Sequence, residues 1–210
     1  MWDESKCNFC GDCFSKCQYV DYDKDKAVGE LRRLISGETA EILHSCITCS
    51  ACHEYCPTGA DPFDLILKAI ERFDTFPIGK KEAEMMDYGY DVPNETIAGD
   101  PEKPALALCV MESSFPKGAL EGRLFEDLTI VKGGDYFCGL GYIHIGKETP
   151  IKNHAQSFID NLAALNKDFI FIHDDCYTTV KEKMKDYGIP VPFNYKHIFE
   201  YLLNYLKAHK

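Results

Sequence analysis

Basic residues are few in this chain of 210 residues: 23 Lys and Arg stand against 34 Asp and Glu, a formal net charge of −11. No run is rich in Lys or Arg, which argues against nucleic-acid binding. No apolar run approaches the roughly 18 residues of a membrane span, and no signal-peptide pattern is present. We therefore expect a cytoplasmic chain without a transmembrane segment. Its acidic balance suits docking onto a basic surface of another protein.

Cysteine, by contrast, is abundant, with 11 residues. Eight of them lie within the first 56 residues and form two copies of the pattern C-x2-C-x2-C-x3-C. The first copy is Cys7, Cys10, Cys13 and Cys17; the second is Cys46, Cys49, Cys52 and Cys56, and Pro57 follows it. This spacing is typical of 4Fe–4S proteins, in which three thiolates on one tight loop cap three irons and the fourth reaches the other cluster.

The spacing predicts two 4Fe–4S clusters whose ligands cross between the motifs. Cys7, Cys10, Cys13 and Cys56 would hold the first cluster, and Cys46, Cys49, Cys52 and Cys17 the second. Zinc is the first alternative, but it usually takes its ligands as two pairs of Cys or His. A disulfide framework is the second, and it belongs to small secreted chains. Two clusters predict a chain whose main role is to move single electrons.

The pattern of apolar residues divides the chain into parts. Helical spacing around the cysteine motifs predicts an all-α domain over residues 1–76. Frequent Pro and Gly predict a linker over residues 77–103, with a short helix at 80–86. Apolar runs alternate with amphipathic helices over residues 104–210, which predicts an α/β, Rossmann-like domain with a mostly parallel sheet. The predicted fold class is therefore α+β multidomain.

The first part, up to about residue 75, resembles the helical two-cluster ferredoxin domain found in the C-type subunit of heterodisulfide reductase. The likeness rests on CNFCGDC at 7–13 and CITCSACHEYCPTG at 46–59. Related modules occur in the iron–sulfur subunits of anaerobic glycerol-3-phosphate dehydrogenase, glycolate oxidase and fumarate reductase. One departure is Gln18, where a proline often follows the fourth cysteine; it leaves the ligand set intact.

Residues 104–208 resemble the CCG cysteine-rich domain found in the B-type subunit of heterodisulfide reductase, in which C…CCG…C-x2-C supplies five cysteines. This chain keeps Cys109, Cys138 and Cys176, and it has Phe137 and Thr179 in place of the other two. The resemblance implies a single, degenerate domain, for which three alternatives stay open. In the first, the domain binds no metal and serves for packing and docking. In the second, it holds a third iron–sulfur cluster on the three cysteines. In the third, it is a dithiol redox site. A third cluster would have an open iron or a ligand from His144, His173 or Asp175.

Together the two resemblances imply an electron-transfer subunit of a heterodisulfide-reductase-like redox complex. Its partners would be the other subunits of the complex and a flavoprotein or ferredoxin, and it would pass electrons between that redox protein and a terminal acceptor. A homo-oligomer is compatible with this role. The alternative is an oxidoreductase whose own Cys109, Cys138 and Cys176 site reduces a disulfide or another small acceptor. The sequence has no signature of a nucleophile paired with a base, so it assigns no catalytic residue.

Overall fold

The computed structural model describes residues 1–76 and 80–209. The chain forms two compact units. The first consists of Met1–Lys80 and Gly141–Thr149, and the second of Lys81–Leu140 and Pro150–Lys210. None of the helices in the described ranges is both long and apolar enough to cross a membrane.

The regular elements described between residues 1 and 76 are all helical. They are α1 (Asp12–Ser15), α2 (Lys24–Ile35), α3 (Ile42–Ser45), α4 (Ala51–Tyr55) and α5 (Pro62–Phe73), with a 3-10 turn at Glu4–Lys6. Leucine, isoleucine and phenylalanine side chains from α1, α2, α3 and α5 form one buried core, which includes Phe14, Leu31, Leu43 and Ile70. This core fixes the loops that carry the first eight cysteines.

Polar contacts set where the helices of the first unit begin. Asp23 precedes α2, and its carboxylate accepts a hydrogen bond from the main-chain N–H of Lys26 at 2.8 Å, as an N-cap residue does. Glu30 lies on α2 and is buried. Its carboxylate accepts a hydrogen bond from the N–H of Ile42 at 2.9 Å, so it ties the first residue of α3 to α2.

The second unit is built on a five-stranded sheet. Its strands are β1 (Glu95–Ile97), β2 (Ala105–Cys109), β3 (Thr129–Lys132), β4 (Phe169–Phe171) and β5 (Tyr195–His197), in the order β1-β3-β2-β4-β5. Strand β1 pairs antiparallel with β3, and the other pairs are parallel. The mixed α/β character predicted from the sequence is confirmed.

Helices and turns connect these strands. They are α6 (Lys80–Asp91), α7 (Thr149–Ala163), α8 (Asp174–Thr178), α9 (Met184–Tyr187) and α10 (Ile198–Ala208), 3-10 turns at Glu112–Ser114, Gly134–Tyr136 and Leu140–Ile145, and a π-helical turn at Thr179–Lys183. Every residue of β2 and of β4 is buried, which is the pattern of central strands in a parallel sheet.

The range 77–103, which the sequence predicts to be a linker, contains regular structure where it is described. Helix α6 runs to Asp91, beyond the predicted end at residue 86, and β1 adds an edge strand to the sheet. Pro93, Gly99 and Pro101 lie on either side of β1 without interrupting it. An edge strand of three residues pairs on one side only, so it gives little periodic signal in a sequence.

Parallel strands determine where the C-terminal cysteines lie. Cys109 is the last residue of β2, and Cys176 lies on α8, which follows β4 directly. Because β2 and β4 are parallel neighbours, their carboxyl ends meet at one edge of the sheet, where sites of α/β proteins form.

Candidate functional site

The two N-terminal cysteine motifs fold in the same way. In the first motif Phe9 and Gly11 have left-handed backbone, with φ of 58° and 75°. In the second, Thr48 and Ser50 occupy the same positions of the pattern and have φ of 61° and 55°. Three of these four residues are not glycine, although side chains disfavour this conformation. Backbone strain of this kind is concentrated at binding sites.

The four cysteines predicted for the first cluster lie together. Cys7, Cys10, Cys13 and Cys56 line one small cavity of about 20 Å³, together with Trp2 and Pro62. Burial raises the pKa of Cys13 to about 12, and the charges of Cys10, Cys56 and Cys7 add to that rise. Cys56, the last cysteine of the second motif, therefore lies beside the first three cysteines of the first motif.

The four cysteines predicted for the second cluster surround a larger cavity of about 210 Å³. Cys17, Cys46, Cys49 and Cys52 line it, and so does Cys13, which also lines the first cavity. Burial raises the pKa of Cys46, and the charges of Cys49 and Cys17 act in the same direction. The structure thus brings together both sets of four that the sequence predicts, including the exchange of Cys17 and Cys56.

Hydrogen bonds reach the sulfurs of both sets. The N–H of Thr48 donates to Cys46 Sγ at 3.4 Å, and the N–H of Ala60 donates to Cys56 Sγ at 3.3 Å. Burial acts to raise the pKa of Cys56, but hydrogen bonds from the Thr58 hydroxyl and from three main-chain N–H groups outweigh it and lower that pKa. These donors favour the thiolate, which is the form that binds metal ions.

The remaining three cysteines meet in the second unit. The sulfurs of Cys109, Cys138 and Cys176 all lie within 4.8 Å of one another, and their residues are 1%, 5% and 1% exposed. We refer to them as the thiol trio. Among the described residues they form the one group of three or more Cys, His, Asp or Glu side chains that are this close.

Hydrogen bonds inside the thiol trio favour a negative charge on one sulfur. The thiols of Cys138 and Cys176 donate to Cys109, and this holds the pKa of Cys109 well below its usual value. The pKa values of Cys138 and Cys176 are raised, chiefly because each holds its proton in a bond to Cys109. The main-chain N–H groups of Cys138 and Val110 add two more donors to the Cys109 sulfur.

Two aromatic side chains of the second unit, Phe137 and Tyr90, lie near the thiol trio. Phe137 precedes Cys138, and its ring packs on Gly89, where an added Cβ would lie 2.5 Å from the ring. Tyr90 makes an edge contact with Phe137 at 4.8 Å and stacks on His154 at 3.9 Å between ring centroids. Burial raises the pKa of Tyr90, and charge at Cys138 raises it further. Sequence reasoning did not connect Tyr90 or His154 with the cysteines, because neither is near a cysteine along the chain.

Other residues named from the sequence fall into different places. His144 belongs to the first unit. His173 and Asp175 flank the start of α8, and the His173 Nδ1 lies 3.9 Å from the Asp175 carboxylate. Among the described residues, neither joins the close group of three sulfurs. Thr179, where the resemblance expects a further cysteine, is fully buried.

Comparisons with protein-family models, with curated proteins and with solved structures give no match for this chain. The class of protein is therefore defined by the chain's own features. It is a mixed α/β protein whose eleven free cysteines collect into three groups. Groups of convergent thiols of this kind suggest metal binding.

Proposed function

We propose that this chain is an iron–sulfur electron-transfer subunit of a heterodisulfide-reductase-like redox complex. The observation that carries the proposal is the exchange of fourth cysteines between the motifs. Cys56 lines the cavity of Cys7, Cys10 and Cys13, and Cys17 lines that of Cys46, Cys49 and Cys52. Two separate zinc sites would take their ligands as pairs and would not require this exchange.

The donor sets fit two 4Fe–4S clusters. Each set consists of four thiols and contains no histidine or carboxylate. Each loop also has the left-handed residues that turn successive main-chain N–H groups toward one concave side. Bound in these sets, the clusters would supply one-electron redox chemistry.

The protein's own residues would control access to the second cluster set. Cys49 is exposed, and Tyr19 and Ile47 at the same cavity are 50% and 48% exposed. By contrast, Cys13, which also lines this cavity, is buried. Exposed apolar side chains beside a redox centre are suited to a transient protein contact, so we propose that a flavoprotein or ferredoxin approaches at Tyr19 and Ile47.

The proposal also includes location and partner type. The eleven cysteines are free, and free thiols persist in a reducing compartment, so we propose that the chain works in the cytoplasm. With a net charge of −11, it would associate best with a basic partner surface, and salt would weaken that association.

A test of the function uses the anaerobically purified full chain. A reduced ferredoxin should bleach its visible absorption with about two electrons per chain, one for each cluster. An oxidised flavoprotein should then restore the absorption. The matched control is the Cys17→Ser variant, which should accept about half as many electrons. A chain that takes up no electrons from any low-potential donor contradicts the proposal.

One observation favours a second candidate function. The three buried sulfurs of the thiol trio converge at one place, which core cysteines have no reason to do. An oxidoreductase that reduces a disulfide or another small acceptor at this site is therefore the alternative proposal. Loss of acceptor reduction in a Cys109→Ser variant, with both N-terminal clusters intact, would support it over pure electron transfer.

A further inference from the structure

The distances within the thiol trio indicate what it can hold. In a tetrahedral site with metal–sulfur bonds near 2.3 Å, thiolate sulfurs stand about 3.8 Å apart. In a 4Fe–4S cube each sulfur caps a different iron, so cluster ligands stand roughly 6 Å apart. The sulfurs of Cys109, Cys138 and Cys176 all lie within 4.8 Å of one another, which fits one ion and is too close for a cube.

The N-terminal cysteines provide an internal comparison. In the described ranges, no three of those eight sulfurs lie within 4.8 Å of one another. Instead, the set of Cys17, Cys46, Cys49 and Cys52 surrounds a cavity of about 210 Å³. The same chain therefore contains two kinds of thiol group: wide sets of four, and one compact set of three.

The backbone at the thiol trio is built to hold the sulfurs in place. Cys109 has left-handed backbone with φ of 58°, at a point where the pairing register of β2 with β3 shifts. Gly139, directly after Cys138, is also left-handed with φ of 69°. For a cysteine this conformation costs about 1–3 kcal/mol. A core cysteine with no ligand would gain nothing for that cost, because a residue with ordinary backbone would pack as well.

A polar side chain without a partner lies on the same helical stretch. Thr179 is 0% exposed, and its hydroxyl finds no hydrogen-bond partner among the described residues. It follows Cys176 by three residues and therefore shares its helix face. It also begins the π-helical turn Thr179–Lys183, a local widening that is frequent at functional sites. A buried hydroxyl left unpaired costs about 1–3 kcal/mol, so a ligand beside Thr179 would satisfy it.

We propose that Cys109, Cys138 and Cys176 bind a single thiolate-preferring metal ion, Zn²⁺ by geometry, with an exchangeable fourth ligand held by the Thr179 hydroxyl. Three protein ligands and one open position are the arrangement of ions that bind a small molecule. The fourth ligand is a water molecule at rest, and a small thiol or thiolate can replace it. The main-chain N–H groups at the Cys109 sulfur stabilise the negative charge of three thiolates around a divalent ion.

Metal analysis of the full chain tests this site independently of the proposed electron transfer. Anaerobically purified protein should contain about one Zn²⁺ in addition to the iron. The Cys109→Ser/Cys138→Ser/Cys176→Ser variant should lose that one ion and keep all its iron. Loss of about four irons in the variant would show a third cluster, and unchanged metal content would show a site without metal; either result overturns the proposal. Failure of the electron-transfer function would appear instead as missing iron in the parent chain.

Cobalt provides a second measurement in case the triple variant does not fold. Co²⁺ added to full chain from which only the zinc has been removed, with its iron retained, should give the charge-transfer and ligand-field bands of a tetrahedral thiolate site, and one equivalent of Zn²⁺ should remove them. No such bands, or a Cys109–Cys138 disulfide found by thiol counting under anaerobic conditions, would overturn the site.

Two threonine variants on one helical stretch test the fourth position. Thr179→Val removes the buried hydroxyl and should weaken Co²⁺ binding about tenfold or more and shift the ligand-field bands. Thr178→Val, one residue earlier, is the matched control and should change neither. If the hydroxyl were merely structural, its removal would relieve an unpaired group and leave the bands unchanged; that result overturns its role as holder of the fourth ligand.

Discussion

Single residues with left-handed backbone mark all three thiol groups. Phe9 and Gly11 lie in the first motif, Thr48 and Ser50 in the second, and Cys109 in the thiol trio. Each lies at or next to a cysteine, where the chain must turn sharply to direct a sulfur inward. Such conformations persist where the surrounding structure fixes them, and they are concentrated at binding sites.

Gly11 gives the clearest test of these loops. A Cβ at Gly11 would lie 3.2 Å from the Lys24 carbonyl and from the Val28 side chain, and φ is 75°. Gly11→Ala should therefore lower the free energy of unfolding by about 1–2 kcal/mol and loosen the first cluster set. Gly29→Ala is the control: an added Cβ meets nothing within 4 Å, and replacing a mid-helix glycine should raise stability by about 0.5–1 kcal/mol. Urea unfolding measures the free energy of unfolding of both variants. Equal changes in the two variants would contradict the role given to Gly11.

The exchange of fourth cysteines makes a prediction at the same scale. Cys17→Ser should damage the cluster of Cys46, Cys49 and Cys52 and spare that of Cys7, Cys10 and Cys13. Cys56→Ser should do the reverse, because Cys56 lines the other cavity. Spectra of the reduced proteins distinguish the two clusters. The exchange would be refuted if Cys17→Ser removed only the cluster of Cys7, Cys10 and Cys13, or if Cys56→Ser removed only the cluster of Cys46, Cys49 and Cys52.

The C-x2-C-x2-C-x3-C spacing predicts two sets of four cysteines, and the members of each set line one cavity of the structure; that these sets hold clusters stays a prediction. Spacing could not predict the close approach of the thiol trio. Cys109, Cys138 and Cys176 come from separate elements, so their separation depends on strand order and on the register shift at the end of β2. Tyr90 lies near Cys138 for the same tertiary reason and has no local signal. The motif that follows Cys176 singles out Thr179, but it does not predict that Thr179 is fully buried.

At the level of elements, long helices were easier to predict than edge strands. Helices α2, α5 and α7 have apolar residues at helical spacing, the signal from which the sequence predicts an all-α part and the amphipathic helices of the α/β part. Strands β1 and β5 have three residues each and include Glu95, Lys196 and His197. Charged, short edge strands protect a sheet from pairing with other chains, but the same features hide them in a sequence.

Helices α7 and α10 provide a matched pair of leucines. Leu162 on α7 is 0% exposed, whereas Leu203 on α10 is 50% exposed. Leu162→Ala should lower the free energy of unfolding by about 2–5 kcal/mol, because it leaves a cavity. Leu203→Ala should change it by less than about 0.5 kcal/mol. Thermal unfolding of the two variants measures the difference, and a large cost at Leu203 would mean that α10 is covered in solution.

At the scale of the whole molecule, each compact unit is made of two chain segments. Residues Gly141–Thr149 return to the first unit, where Lys147 forms an ion pair with Asp74 at 2.9 Å and the N–H of Glu148 donates to the Glu71 carboxylate at 3.1 Å. A sequence read from one end to the other indicates contiguous domains, so this return could not be predicted from composition or periodicity.

The central claim is that eight N-terminal cysteines hold two 4Fe–4S clusters, and the metal and sulfide content of the full chain tests it most directly. Protein purified without oxygen, with cluster assembly intact, should be brown and contain about eight irons and eight sulfides on these cysteines. After reduction, electron paramagnetic resonance should show two spin-coupled 4Fe–4S centres. A preparation made in the same way that contains zinc and no iron would contradict the account.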